Sequence, residues 1–95
     1  MDLQIDGATI LSEGDLHDVL DRALDFGPYY GRNLYALRDR LNYDVERPLR
    51  IVWLNHHLSR RAMGDRFGMI VNIFQHVIDS DVEAHVDSPF AYILA

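Results

Sequence analysis

Cysteine is absent from this 95-residue chain, and so is lysine. Without cysteine there is no disulfide framework and no thiolate metal site. No apolar run approaches the ~18 residues that a membrane-spanning helix requires. Residues Met1 to Asp6 also lack the basic start and apolar run of a secretory signal. These absences lead us to expect a reduced, cytoplasmic, globular protein with one domain over residues 1–95. At this length folding buries about 60–65% of the extended-chain surface, which limits the chain to one modest core.

Positive charge is scarce as well. Nine arginines face 15 acids, for a net charge of −6. That sign repels nucleic acid, whose binding depends on neutralising phosphates with Lys and Arg. It suits a basic protein partner, because complementary fields speed encounter and reject wrong surfaces. It also serves simply to keep a small protein dispersed.

What is present is an alternation of short strands and helices. Leu3 to Ile5, closed by Asp6-Gly7, reads as a first strand. Ser12-Glu13-Gly14-Asp15 resembles a capping box, with Asp15 where Glu or Gln is usual. Behind it Leu16, Val19, Leu20, Ala23 and Leu24 make the stripe of an amphipathic helix that Gly27-Pro28 should end. Asn33 is a good N-cap for a second helix reaching Tyr43. Leu49 to Leu54 is nearly continuous in apolar residues, as in a strand covered on both faces. His56 to Met63 reads as a short helix or turn. From Asp65 a long helix carries Phe67, Ile70, Val71, Phe74, Val77 and Ile78 as a core stripe. Met69 and Ile73 widen that stripe, so the helix should pack on two sides. Residues Asp81 to Ser88 either extend the helix or alternate as a strand, and Phe90 to Leu94 is a last strand. This order predicts an α/β fold with a small, largely parallel sheet, and right-handed crossovers would lay helices on the sheet faces.

The stretch "FGPYYGRNLYALRDRL", residues 26–41, sets three tyrosines around the start of one helix. At roughly 100° per residue, Leu34, Leu37 and Leu41 fall together and face the core. Tyr35, Asp39, Asn42 and Tyr43 fall on the other side, with Ala36 between. Tyr29 and Tyr30 precede the helix, and Gly31 permits a turn that a residue with a Cβ would resist. Tyrosine loses little rotamer freedom on binding and is enriched at interfaces. Either of Tyr29 and Tyr30 can instead staple into the core.

"YYGRNLYALRDRL" resembles the signature of the barstar family, intracellular inhibitors of microbial ribonucleases. The family's Tyr-Gly-x-Asn-Leu-x-Ala-Leu-x-Asp pattern is matched by Tyr30, Gly31, Asn33, Leu34, Ala36, Leu37 and Asp39. The likeness continues through "DLH" at 15–17 and "RPL" at 47–49, and extends to about residue 78. It implies a three-stranded parallel sheet packed with three to four helices, and a protein that acts by occlusion rather than catalysis. Tyr29, Tyr30, Gly31 and Asn33 would supply loop contacts, and Asp39 would enter the nuclease cleft. The partner would be a bacterial, guanyl-specific ribonuclease or a related toxin, blocked to protect the producing cell. The alternatives are an immunity protein for a toxin domain of different activity and a non-inhibitory interaction module on the same fold. No nucleic acid, membrane, metal or cofactor is implied, and the free protein would be a monomer.

The departures from the family matter too. Its best-known member has acids where this chain has Tyr35 and His76, and an aromatic where it has Arg38. That face is less acidic here, which implies a partner with acids for Arg38 or a slot for Tyr35. The site then comprises Tyr29, Tyr30, Gly31, Asn33, Tyr35, Ala36, Arg38, Asp39, Asn42, Tyr43 and His76. His76 either adds a pH dependence, since imidazole titrates near neutrality, or is simply solvated.

Other chemistries fit poorly. His56 and His57 are adjacent and diverge, and no His-Glu-x-x-His element exists. His17 and Asp21 read as a surface pair, while His85 and Asp87 lack a third ligand. A nuclease would need cations to steady the transition state, yet only Arg60 and Arg61 are adjacent and the chain is acidic.

Overall fold

Alternation along three short segments builds the sheet. β1 (Asp2–Asp6), β2 (Arg50–Leu54) and β3 (Ala91–Leu94) run parallel in the order β1-β2-β3, in a computed structural model that describes residues 1–95. The register aligns Leu3, Ile51 and Tyr92, then Ile5, Trp53 and Leu94. Side chains alternate across a pleated sheet, so these six share one face, where Ile51 and Trp53 are wholly buried. Gln4, Val52 and Ile93 align on the other face, where Gln4 and Ile93 are exposed and Val52 is half-buried. The apolar run of β2 predicts cover on both faces, but only one belongs to the core. Val52 and Leu54 lie outside the cluster of 16 buried residues and the side chains packed against it.

Two helices link β1 to β2, namely α1 (Glu13–Leu24) and α2 (Leu34–Tyr43), after a 3-10 turn at Gly7–Thr9. Two more link β2 to β3, namely α3 (His56–Met63) and α4 (Asp65–Glu83). α1 starts at the expected cap: Ser12 Oγ accepts from the Asp15 N–H at 3.1 Å, and the Asp15 carboxylate accepts from the Leu11 N–H at 3.0 Å. It stops before Gly27-Pro28, because Asp25 turns left-handed (φ 54°) and caps it. Ala23, expected in the buried stripe, is exposed, whereas His17 is buried. The undecided segment after Asp81 is helical through Glu83 and then turns into β3.

Two buried polar arrangements lock the connections. Trp53 Nε1 donates to Ser59 Oγ, which donates to the Gly7 carbonyl, each at 3.1 Å. Gly7 approaches the end of β2 so closely that a Cβ there would lie 2.2 Å from the Asn55 carbonyl oxygen. Asp81 receives Arg47 through two bonds of 2.6 and 3.1 Å and also accepts from the Phe90 N–H at 2.8 Å. The other Arg47 N–H groups reach the Val45 and Leu41 carbonyls at 2.7 and 2.8 Å. One ion pair therefore ties the end of α2, the entry to β2, α4 and the entry to β3.

α4 buries Phe67, Ile70, Phe74 and Val77, with Val71 and Ile78 half-buried. It packs against both α2 and α3, as its wide apolar stripe predicts, but the seam with α2 is not fully closed. Met69 is 48% exposed and Ile73 half-buried, and both line an open groove against α2.

Candidate protein-docking site

The loop between α1 and α2 holds two adjacent tyrosines in opposite environments. Tyr29 is 90% exposed, while Tyr30 is 7% exposed and packs on Phe26 with ring centroids 4.7 Å apart. The Tyr30 hydroxyl meets His17 Nδ1 at 2.5 Å, and His17 Nε2 meets Glu13 Oε2 at 2.8 Å. Burial raises the Tyr30 phenol well above its ordinary pKa, so it stays neutral. Two expectations change here. Tyr30 is a core anchor and not an exposed contact, and His17 is a buried link to the loop and not a surface partner of Asp21.

A second tether lies beside the first. Arg32 adopts φ 55° and donates to Asp18 at 2.5 Å and to the Gly14 carbonyl at 3.4 Å. Beyond Asp25 and Gly27, the left-handed residue next to α2 is Arg32 and not Gly31, which the sequence marks for the special turn. Gly31 serves close approach instead, since a Cβ there would lie 3.3 Å from the Ala36 Cβ. Asn33 then caps α2, its Oδ1 accepting from the Ala36 N–H at 2.9 Å. The loop is held by α1 before any partner arrives, which lowers the ordering cost of binding through Tyr29.

α2 buries Leu37 and Leu41 and turns Tyr35 (74% exposed), Asp39 and Tyr43 (80% exposed) outward. Ala36, Arg38 and Asn42 are half-buried between them. The Arg38 guanidinium lies over the Tyr35 ring, 5.8 Å from its centroid. Asn42 Oδ1 is buried without a hydrogen-bond partner. Asp44 is held by Arg40 at 2.8 Å, but Asp39, the only acid within α2, has no intramolecular hydrogen bond or ion pair.

These residues form one continuous surface of three depressions. Tyr29, Gly31, Ala36, Asp39 and Tyr43 line the first, of about 470 Å³. Arg38, Asp39, Asn42, Tyr43 and His76 line the second, of about 400 Å³, where α4 adds Asp79 and Glu83. Asn33, Tyr35, Arg38 and His76 border the third, the groove containing Met69 and Ile73. The structure thus gathers every predicted site residue except Tyr30 on this face. Asp79 and Glu83 escaped the sequence reading, although their spacing from His76 is that of one helix face. The middle of the surface is consequently more acidic than α2 alone suggests.

Two comparisons bear on what meets such a face. The sequence model of a protein family described as "Barstar (barnase inhibitor)" matches residues 1–94. The protein named "Putative ribonuclease inhibitor YrdF" from Bacillus subtilis (strain 168) is 39% identical over 71 residues, covering 75% of this chain and 78% of that protein.

Proposed function

This chain belongs to the barstar family, and we propose that it inhibits a ribonuclease by docking the α2 face over that enzyme's active site. The family's members are inhibitors and the chain is not an enzyme. The target in this reading is a cognate bacterial ribonuclease of the guanyl-specific, barnase-like class, and inhibition protects the producing cell.

The observation that carries the reading is Asp39. It is exposed, unpaired and flanked by Tyr29 and Tyr43, with Asp79 and Glu83 across the adjoining depression. A nuclease holds RNA phosphates with Arg, Lys and His, and a carboxylate presented on a rigid helix competes for those donors. Inside a closed interface water is excluded and the attraction strengthens. The exposed tyrosines supply apolar area around the acid and seal it from solvent. Tyr29 is delivered by the pinned loop and Asp39 by a packed helix, so neither must be ordered during association.

A second reading has a specific observation in its favour. Arg38 lies over the Tyr35 ring and forms no ion pair with a carboxylate of the chain, which suits an immunity protein for a toxin domain of another activity. Titrating this protein into RNA-cleavage assays of small secreted bacterial guanyl-specific ribonucleases separates the two. Stoichiometric inhibition of at least one enzyme is expected. Silence across that panel, with inhibition of a toxin of different activity, would favour the second reading.

A further inference from the structure

The side of α4 that turns toward α2 leaves a groove of about 510 Å³ open between the helices. Leu34 and Ile73 are half-buried in it and Met69 is 48% exposed, so its floor offers three incompletely covered apolar side chains. Two guanidiniums stand beside that floor. Arg66 lies 3.5 Å from Glu13 Oε1, but the other oxygen of Glu13 is committed to His17 at 2.8 Å. Arg38 forms no ion pair within the chain, although it also borders the depression that holds Asp39, Asp79 and Glu83. Arg38 and Arg66 against Glu13 leave the groove one charge positive, on a chain whose net charge is −6. The next depression has the reverse balance, with Asp39, Asp79 and Glu83 against Arg38. Covering a guanidinium without giving it an acceptor is costly, so whatever fills the groove must bring acceptors as well as apolar surface, and carboxylates also answer the groove's positive charge.

We propose that this groove is a second anchor for the protein partner, receiving an apolar side chain flanked by carboxylates. The docking face is then bipolar: Asp39 takes a cationic cleft, and the groove takes an acidic, apolar projection beside it. The inference rests on the proposed inhibitor function for the partner's identity, while the groove's own chemistry is testable without that partner.

The test is an NMR titration of the full chain, with labelled methyl groups at Leu34, Met69 and Ile73, against blocked Asp-Leu-Asp, Asn-Leu-Asn and Lys-Leu-Lys peptides. The acidic peptide should shift the Met69 and Ile73 methyls saturably. It should bind about fivefold tighter than the neutral peptide, the factor expected of an exposed ion pair, and lose that advantage in high salt. Arg38→Glu should reverse the order in favour of the lysine peptide, with signals remote from the groove unchanged. Should that variant unfold, Arg66→Glu tests the same reversal. Equal binding of all three peptides, shifts confined to another surface, or no shift at peptide saturation overturns the proposal. Groove binding without inhibition of any ribonuclease counts against the proposed nuclease partner alone, and inhibition without groove binding counts against the groove alone.

Discussion

Arg47 with Asp81 and Arg38 with Asp39 are the same residue types in opposite circumstances. The first pair has side chains only 11% and 7% exposed, and both are tied into bonds within the chain. The second two are neighbours on α2, one half-buried and one exposed, with no ion pair. A buried charge must be fully paired or it destabilises the fold, so its bonding capacity is used internally. A solvated charge costs little to leave unpaired and keeps its capacity for a partner. The division separates a framework that fixes the position of α2 from a face of α2 that is free to bind.

Breaking the framework should have the largest effect. Asp81→Ala leaves Arg47 charged and without its carboxylate, and should cost about 3–5 kcal/mol in denaturant unfolding. Its pH dependence has a definite sign. Burial disfavours the Asp81 charge, but the Arg47 bonds and the Phe90 N–H prevail and hold its pKa below the ordinary value. Asp81 therefore contributes fully above the unfolded pKa of about 3.9, and that contribution disappears as pH falls through the lower folded value. The stability gap between wild type and Asp81→Asn should narrow below about pH 4; a gap that widens on acidification contradicts the assignment.

Leu37→Ala empties a fully buried position on the inner side of α2 and should cost about 2–5 kcal/mol, measured in the same unfolding experiment. Tyr30→Phe removes the hydroxyl that meets His17 Nδ1 and leaves a buried nitrogen unsatisfied, for a loss of about 1–3 kcal/mol. Because it loosens the support of Tyr29, it should also weaken inhibition in the folded protein. At the far end, Asp39→Ala should change stability by no more than about 0.5 kcal/mol. Its binding loss should be about 2–5 kcal/mol, a range drawn from interface charge pairs that include a complex of this family.

The elements were legible because each carries its own local signal. The Asn33 cap and the Leu34, Leu37, Leu41 spacing located α2, and the Phe67 to Val77 stripe located α4. What stayed hidden depends on neighbours remote in sequence. His17 and Tyr30 are 13 residues apart, Arg47 and Asp81 are 34 apart, and periodicity relates neither pair. The extent of cover depends on such neighbours too. The apolar runs of β2 and α4 announce hydrophobic surface, but not that Val52 would lie outside the core or that Met69 would border an open groove. Tyr29 and Tyr30 were two equivalent candidates until the turn sent one outward and one into the core. The recurrence of acids along α4 was readable as helical spacing, but its meaning required knowing that α2 packs beside that helix.

The most direct test of the account is a paired titration of a guanyl-specific ribonuclease with wild-type protein and with Asp39→Ala, alongside a thermal melt of each. The account predicts stoichiometric loss of RNA cleavage with wild type, severe weakening with Asp39→Ala, and superimposable melts. Equal inhibition by both proteins, or a melt lowered in step with the lost inhibition, would contradict the claim that α2 presents a docking face separable from the fold.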